Sequence, residues 1–157
     1  VTITNLAGHK FPTGFPSRRA YLECMVISGE DTIFHSGKPG SAALLNVDRN
    51  KFEPHHQIIR NDDQTQIYEF VMGDTKGAVT TVLEKAYLPL KDNRMPPKGF
   101  DPVKATDTIR VIGQADQDPD YLSGSGEETI EYVIPVAKTS GRTQVRVSLH
   151  YETVPEN

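Results

Sequence analysis

Hydrophobic and polar positions alternate with a period of two along most of this chain. The clearest run, "QVRVSLHYE", puts Val145, Val147, Leu149 and Tyr151 on one face and Gln144, Arg146, Ser148, His150 and Glu152 on the other. Such alternation predicts a half-buried strand with its polar face in water. "TIEYVIPVA" likewise sets Ile130, Tyr132, Ile134 and Val136 on one side, and Pro135 places that strand near a sheet edge. Similar runs are "VTITNL", "AYLECMVIS", "TIFHSG", "HHQIIR", "QIYEFVM" and "TIRVIG", separated by turn-forming pieces such as "SGED", "SGKPG", "RNDDQ" and "GDTKG". About eight short strands at this spacing predict an all-β fold, an antiparallel β-sandwich of immunoglobulin-like or jelly-roll-like kind. The segment "TTVLEKAYLPLKD" reads as strand, although Thr81 and Glu84 match a capping box; Pro89 would end a helix there within two turns.

Length and composition narrow this picture. The 157 residues make one domain, 1–157, large enough to bury a core without covalent staples. With a net charge of −4 and no basic stripe interleaved with aromatic residues, nucleic acid is disfavoured as a partner. No apolar run reaches the roughly 20 residues of a membrane-spanning helix. The first residue already falls inside a strand pattern, so the chain reads as a mature or trimmed product. The single cysteine, Cys24, alternates with Leu22 and Val26 and reads as a buried, inert thiol.

The punctuated motifs "NLAGHKFPTGFPSRRA", "EPHHQII", "QTQIYEFVMGD", "LKDNRMPPKGF" and "GQADQDPDYLSGSGEETIEYVI" follow one another across nearly the whole chain. As a set they resemble the β-rich domain that follows the haem-binding part of certain multihaem c-type cytochromes of bacteria. The resemblance implies an exported β-sandwich module, in the periplasm, at the cell surface or secreted, attached to or derived from extracytoplasmic proteins. It does not carry electron transfer with it: the chain contains no Cys-x-x-Cys-His, so no covalent haem is expected.

Four stretches could carry chemistry. In "AGHKFPTGFP", two glycines and two prolines describe a rigid crossover between strands, with His9 held by a hydrogen bond. In "FEPHHQII", His55 and His56 point to opposite faces of a strand; Glu53 and His55 could share a face as half of a metal site needing partners from elsewhere, but a structural or surface role is the simpler reading. In "QIYEFVMGD", Glu69 shares a face with Ile67 and Val71; a partly covered carboxylate demands a partner, and Arg94 is the expected one. In "DQDPDYLSGSGEE", Asp116, Asp118, Asp120 and Glu127 fall at positions one, three, five and twelve of a calcium loop. Tyr121 in place of the required glycine and Pro119 exclude a helix–loop–helix site, which leaves a looser calcium site or a solvated acidic turn.

Catalytic signatures are missing: the chain has no G-x-S-x-G elbow, P-loop, dinucleotide fingerprint or H-E-x-x-H. Aromatic residues make up 8% with no tryptophan, poor material for a sugar-stacking cleft. The sequence therefore predicts a non-catalytic module with a structural or assembly role, such as the repeating subunit of a cell-surface fibre. A homo-oligomer or polymer is the expected partner state. Docking to a multihaem cytochrome is the first alternative, and a calcium- or carbohydrate-binding module the second.

Overall fold

A computed structural model of the chain describes residues 1–14, 16, 18–41, 44, 51–135 and 142–153. Its backbone is built mostly from strands, paired antiparallel with one exception, in a sandwich-like all-β arrangement. The spine is β2 (Arg19–Ser28), ten residues in which Ala20, Leu22, Cys24 and Val26 are all buried. On one side β2 pairs along its full length with β11 (Thr143–Glu152). On the other side its second half pairs with β3 (Asp31–Ser36), and Ala20–Tyr21 pair with β5 (Ile67–Tyr68). Chain reversal at "SGED" forms the β2–β3 hairpin, as the turn residues predict.

The facing layer is made of short pieces. β1 (Thr2–Thr4) pairs with β9 (Glu127–Thr129), and β4 (Ile58–Ile59) runs parallel to β10 (Glu131–Tyr132). The core lies between the layers: Ala20, Leu22, Cys24, Val26, Phe34 and Tyr68 from the large sheet meet Ile59, Met95 and Ile130. Tyr132 and Ile134 pack against this cluster as their alternation predicts, while Val136 lies outside the described residues. Cys24 is buried, and burial pushes its thiol pKa up. A fourth sheet joins β6 (Phe70–Gly73) to β7 (Val79–Thr80) and β8 (Leu88–Asp92).

Three expectations are corrected. "TTVLEKAYLPLKD" is not one strand: it contains β7's last residue side, a 3₁₀ turn at Leu83–Lys85, and then β8, with Pro89 inside β8. "TIRVIG" forms turns and a single bridge, Asp92 to Ile112. Most important, the apolar row of β11 is not buried. Val145, Val147, Leu149 and Tyr151 are 61%, 37%, 44% and 46% exposed, although they stand beside the buried Val26, Cys24, Leu22 and Ala20. The reason is lateral extent. The facing layer covers β2, whereas β11 is the edge beyond it.

Two glycines fix close approaches. At Gly37, where β3 ends, a Cβ would stand 2.0 Å from the Leu22 carbonyl oxygen. Gly124 ends helix α1 (Pro119–Ser123) in the left-handed region at φ +69°, and a Cβ there would stand 2.7 Å from the Phe100 carbonyl oxygen.

Candidate functional site

The opening crossover is a structural corner. Phe11 and Met95 exchange backbone hydrogen bonds at 2.9 and 2.8 Å, and the Asn5 amide donates to the carbonyls of His9 and Met95, both at 2.9 Å. His9 is exposed and its Nδ1 meets the Lys10 carbonyl at 2.9 Å. Lys10 reaches Asp92 at 2.8 Å and the Arg110 carbonyl at 2.9 Å.

The expected tie between Glu69 and Arg94 is not made. Glu69 is buried but its carboxylate meets Lys91 Nζ at 3.0 Å, and the same ammonium donates to the carbonyls of Glu53 (2.7 Å) and Ile67 (3.1 Å). Arg94 instead grips Asp92 with Nε and Nη2, both at 2.8 Å, and its guanidinium lies 4.8 Å from the centre of the Phe70 ring. Asp92, two residues away at the end of β8, intercepts the arginine.

The quartet Asp116, Asp118, Asp120 and Glu127 does not converge. Asp118 is the N-cap of α1: its Oδ1 accepts from the Asp120 N–H at 2.9 Å. The Asp120 carboxylate accepts from the Thr129 N–H at 2.7 Å, while Asp116 and Glu127 face solvent. Asp116 borders a cleft of about 330 Å³ whose rings are a half-buried Phe100 and a closed-off Tyr121.

What the fold brings together is a set the spacing does not announce. His55, from the loop before β4, meets Asp118 and Glu128, the central residue of β9; among the described residues these form the one group of three such side chains whose ligand atoms lie within 4.8 Å of one another. Gln66 precedes β5, Asn93 follows β8, and Tyr121 rises from α1 to complete the cluster. All six are buried. Glu53, the residue expected beside His55, binds His56 Nε2 at 2.8 Å and the Thr65 N–H at 3.0 Å.

Heavy-atom geometry fixes where the protons are. Gln66 Oε1 accepts from the His56 backbone N–H at 2.8 Å, so its Nε2 must be the atom facing His55 Nδ1 at 2.9 Å. Asn93 Oδ1 accepts from the Glu69 N–H at 3.0 Å, which turns its Nδ2 toward the same ring nitrogen at 3.2 Å and toward the Ile67 carbonyl at 2.8 Å. Two donors converge on Nδ1, so Nδ1 is an acceptor and the ring is neutral. Its proton sits on Nε2 and is donated to Asp118 Oδ2 at 2.8 Å.

Tyr121 settles the other carboxyl. Its hydroxyl lies 2.6 Å from the Asn93 carbonyl oxygen, which can only accept, and 2.8 Å from Glu128 Oε2. One hydroxyl proton cannot serve both, so the carbonyl takes it and Glu128 Oε2 carries a proton of its own. Burial is the leading cause that pushes Glu128 up to about 8; Asp118 adds to it, and the Gln66 amide N–H opposes it. Burial also works against ionised Asp118, but the His55 bond and the Asp120 N–H outweigh it and hold that carboxyl below its ordinary value. The Tyr68 hydroxyl, fully buried, faces Glu128 without hydrogen-bond geometry.

A metal ion does not suit this arrangement. Coordination by His55 Nε2 requires that lone pair free, with the ring proton moved to Nδ1. Two amide N–H groups already point at Nδ1. Nor can substrate reach the cluster, since the side chains of His55, Asp118 and Glu128 are 2%, 3% and 1% exposed. The arrangement holds separate segments of the chain in register.

No family model matches the chain, and no curated protein or solved structure matches it either.

Sequence reasoning missed His55 as a core residue, and with it Gln66, Asn93 and Glu128; Tyr121, which reads from the sequence as a core or edge residue, is buried. One signal was present. Extending the apolar face Ile130–Tyr132–Ile134 back by one period lands on Glu128, a carboxyl on a core-facing row.

Proposed function

We propose that this chain is a non-catalytic β-sandwich module that works by self-assembly, through the open edge and uncovered apolar row of β11. The observation that carries this reading is the exposure of Val145, Val147, Leu149 and Tyr151 on a ten-residue strand paired on one side only among the described residues. Unpaired backbone groups and a contiguous apolar row are the two features that soluble monomers avoid together. The alternative of reactive chemistry finds little footing, because the converging titratable side chains are sealed from solvent.

Both terminal strands are paired within their own chain, β1 with β9 and β11 with β2. Association therefore proceeds by edge addition and not by lending a terminal strand. The resemblance to a cytochrome-associated domain supports reading the module as extracytoplasmic, part of a cell-surface or periplasmic assembly. The same uncovered face supports a second reading, docking to a multihaem cytochrome.

Sedimentation velocity over micromolar to millimolar concentrations tests the proposal. Association that rises with concentration and is lost in Val147→Lys is the expected result. A monomer at every concentration overturns it.

A further inference from the structure

The ladder phase of β11 specifies how such an edge would pair. The Gly29 N–H bonds the Arg142 carbonyl at 3.4 Å, in line with the β2–β11 register. In an antiparallel ladder hydrogen-bonded positions alternate, so the even-numbered residues of β11 bond to β2. The other side of β2 agrees: the Leu22 N–H bonds the Gln66 carbonyl, leaving the odd-numbered residues of β2 for β11. Val145, Val147, Leu149 and Tyr151 consequently turn their own N–H and C=O groups outward. The residues with exposed apolar side chains are the residues with free backbone groups.

Charge then selects among the registers. Arg146 is exposed and makes no ion pair with any described residue, while Glu152 offers one oxygen to Arg19 and leaves the other free. Building on the self-assembly reading above, we propose that two copies join as an isologous dimer by antiparallel β11–β11 pairing, with Leu149 opposite Leu149 on the twofold axis. In that register Val147 stands opposite Tyr151, and Arg146 stands opposite Glu152 of the second copy, each twice. Shifting toward the start of β11 by one, two or three steps of the two-residue repeat sets Arg146 opposite His150, Ser148 or itself. Among the described residues of β11, only the first register answers each arginine with a carboxylate. The two main sheets become one continuous sheet, and both free edges of β11 disappear.

Site-directed cross-linking tests this. Leu149→Cys should form a disulfide-linked dimer under mild oxidation, since Cα atoms of directly opposed strand residues stand about 5.5 Å apart, within disulfide reach. Val145→Cys, which would face Thr153 of the second copy, should cross-link at least about tenfold more slowly at equal concentration. Cys24 is buried and gives no background. Arg146→Glu, at an exposed position with no ion pair to lose, should weaken dimerisation about tenfold. A dimer in which Val145→Cys links as fast as Leu149→Cys overturns the register and leaves self-assembly standing. A monomer throughout assigns the face to a different protein and overturns both.

Discussion

Replacing Glu128 by glutamine should make this protein more stable, and more so as pH rises. The amide keeps the shape, keeps an acceptor for Gln66, and supplies an N–H where the carboxylic acid holds its proton toward Tyr121. In the native chain the folded state holds that proton up to about pH 8, whereas the unfolded chain releases it near 4.5. Between those values the folded state binds more protons than the unfolded one, so stability falls with rising pH. Integrating the difference gives a loss of about 2 kcal/mol by pH 6 and about 4 kcal/mol by pH 8. At roughly 2–4 °C per kcal/mol for a chain of this length, Glu128→Gln should melt about 5 °C higher than the parent at pH 6 and about 8–16 °C higher at pH 8. Below pH 4.5 the gap should close. Asp118 does not blur this window, because its carboxyl lies below its ordinary value and titrates on the acid side. Thermal melts of both proteins from pH 4 to 8.5 decide the matter. A constant gap across that range would show that Glu128 is not held as the acid, and the proton assignment built on Tyr121 would fall with it.

Three further outcomes follow from the same contacts. Lys91→Met strands the buried Glu69 carboxylate and two carbonyls and should cost about 3–5 kcal/mol in urea unfolding, whereas Arg94→Ala should cost about 1–2 kcal/mol, because Asp92 keeps Lys10; equal costs would refute the pairing described above. Gly37→Ala should lose about 3 kcal/mol or more and Gly40→Ala about 1 kcal/mol: both have positive φ, but only the first drives a Cβ into the Leu22 carbonyl, so similar losses would show that the backbone yields there. Millimolar Ca²⁺ or Zn²⁺ should leave the melting temperature within about 1 °C, and a clear upward shift would mean that the ring proton of His55 can be displaced.

The period-two pattern made the sheets legible, and it named the residues that share a face. It could not say whether a second layer covers that face. Leu22 and Leu149 stand opposite each other in one ladder with the same pattern, yet one is buried and the other is 44% exposed. The difference lies in how far the facing layer reaches, a long-range fact that no local window contains. The polar cluster was hidden for a related reason. His55 and Asp118 are separated by 63 positions and Gln66 and Glu128 by 62, so their meeting depends on the whole topology. Spacing within "DQDPDYLSGSGEE" pointed to Glu127, whereas strand alternation turns that residue outward and its neighbour Glu128 inward. Arg94 was similarly assigned by residue type alone, and the nearer Asp92 took it.

The two unusual features have a common origin in how the apolar surface is distributed. Two buried carboxyls, an imidazole, two amides and a phenol occupy interior space that a simpler sandwich fills with aliphatic side chains. Each of these groups is costly unless satisfied, and each of the six is. Such a network rewards one register of its four segments over every slipped alternative, since a shift of one residue would break several hydrogen bonds at once. Meanwhile four apolar residues of β11 are left only partly covered. Directional bonds thus fix how the segments of the fold sit, while the non-directional apolar row of β11 stays partly exposed at the sheet edge.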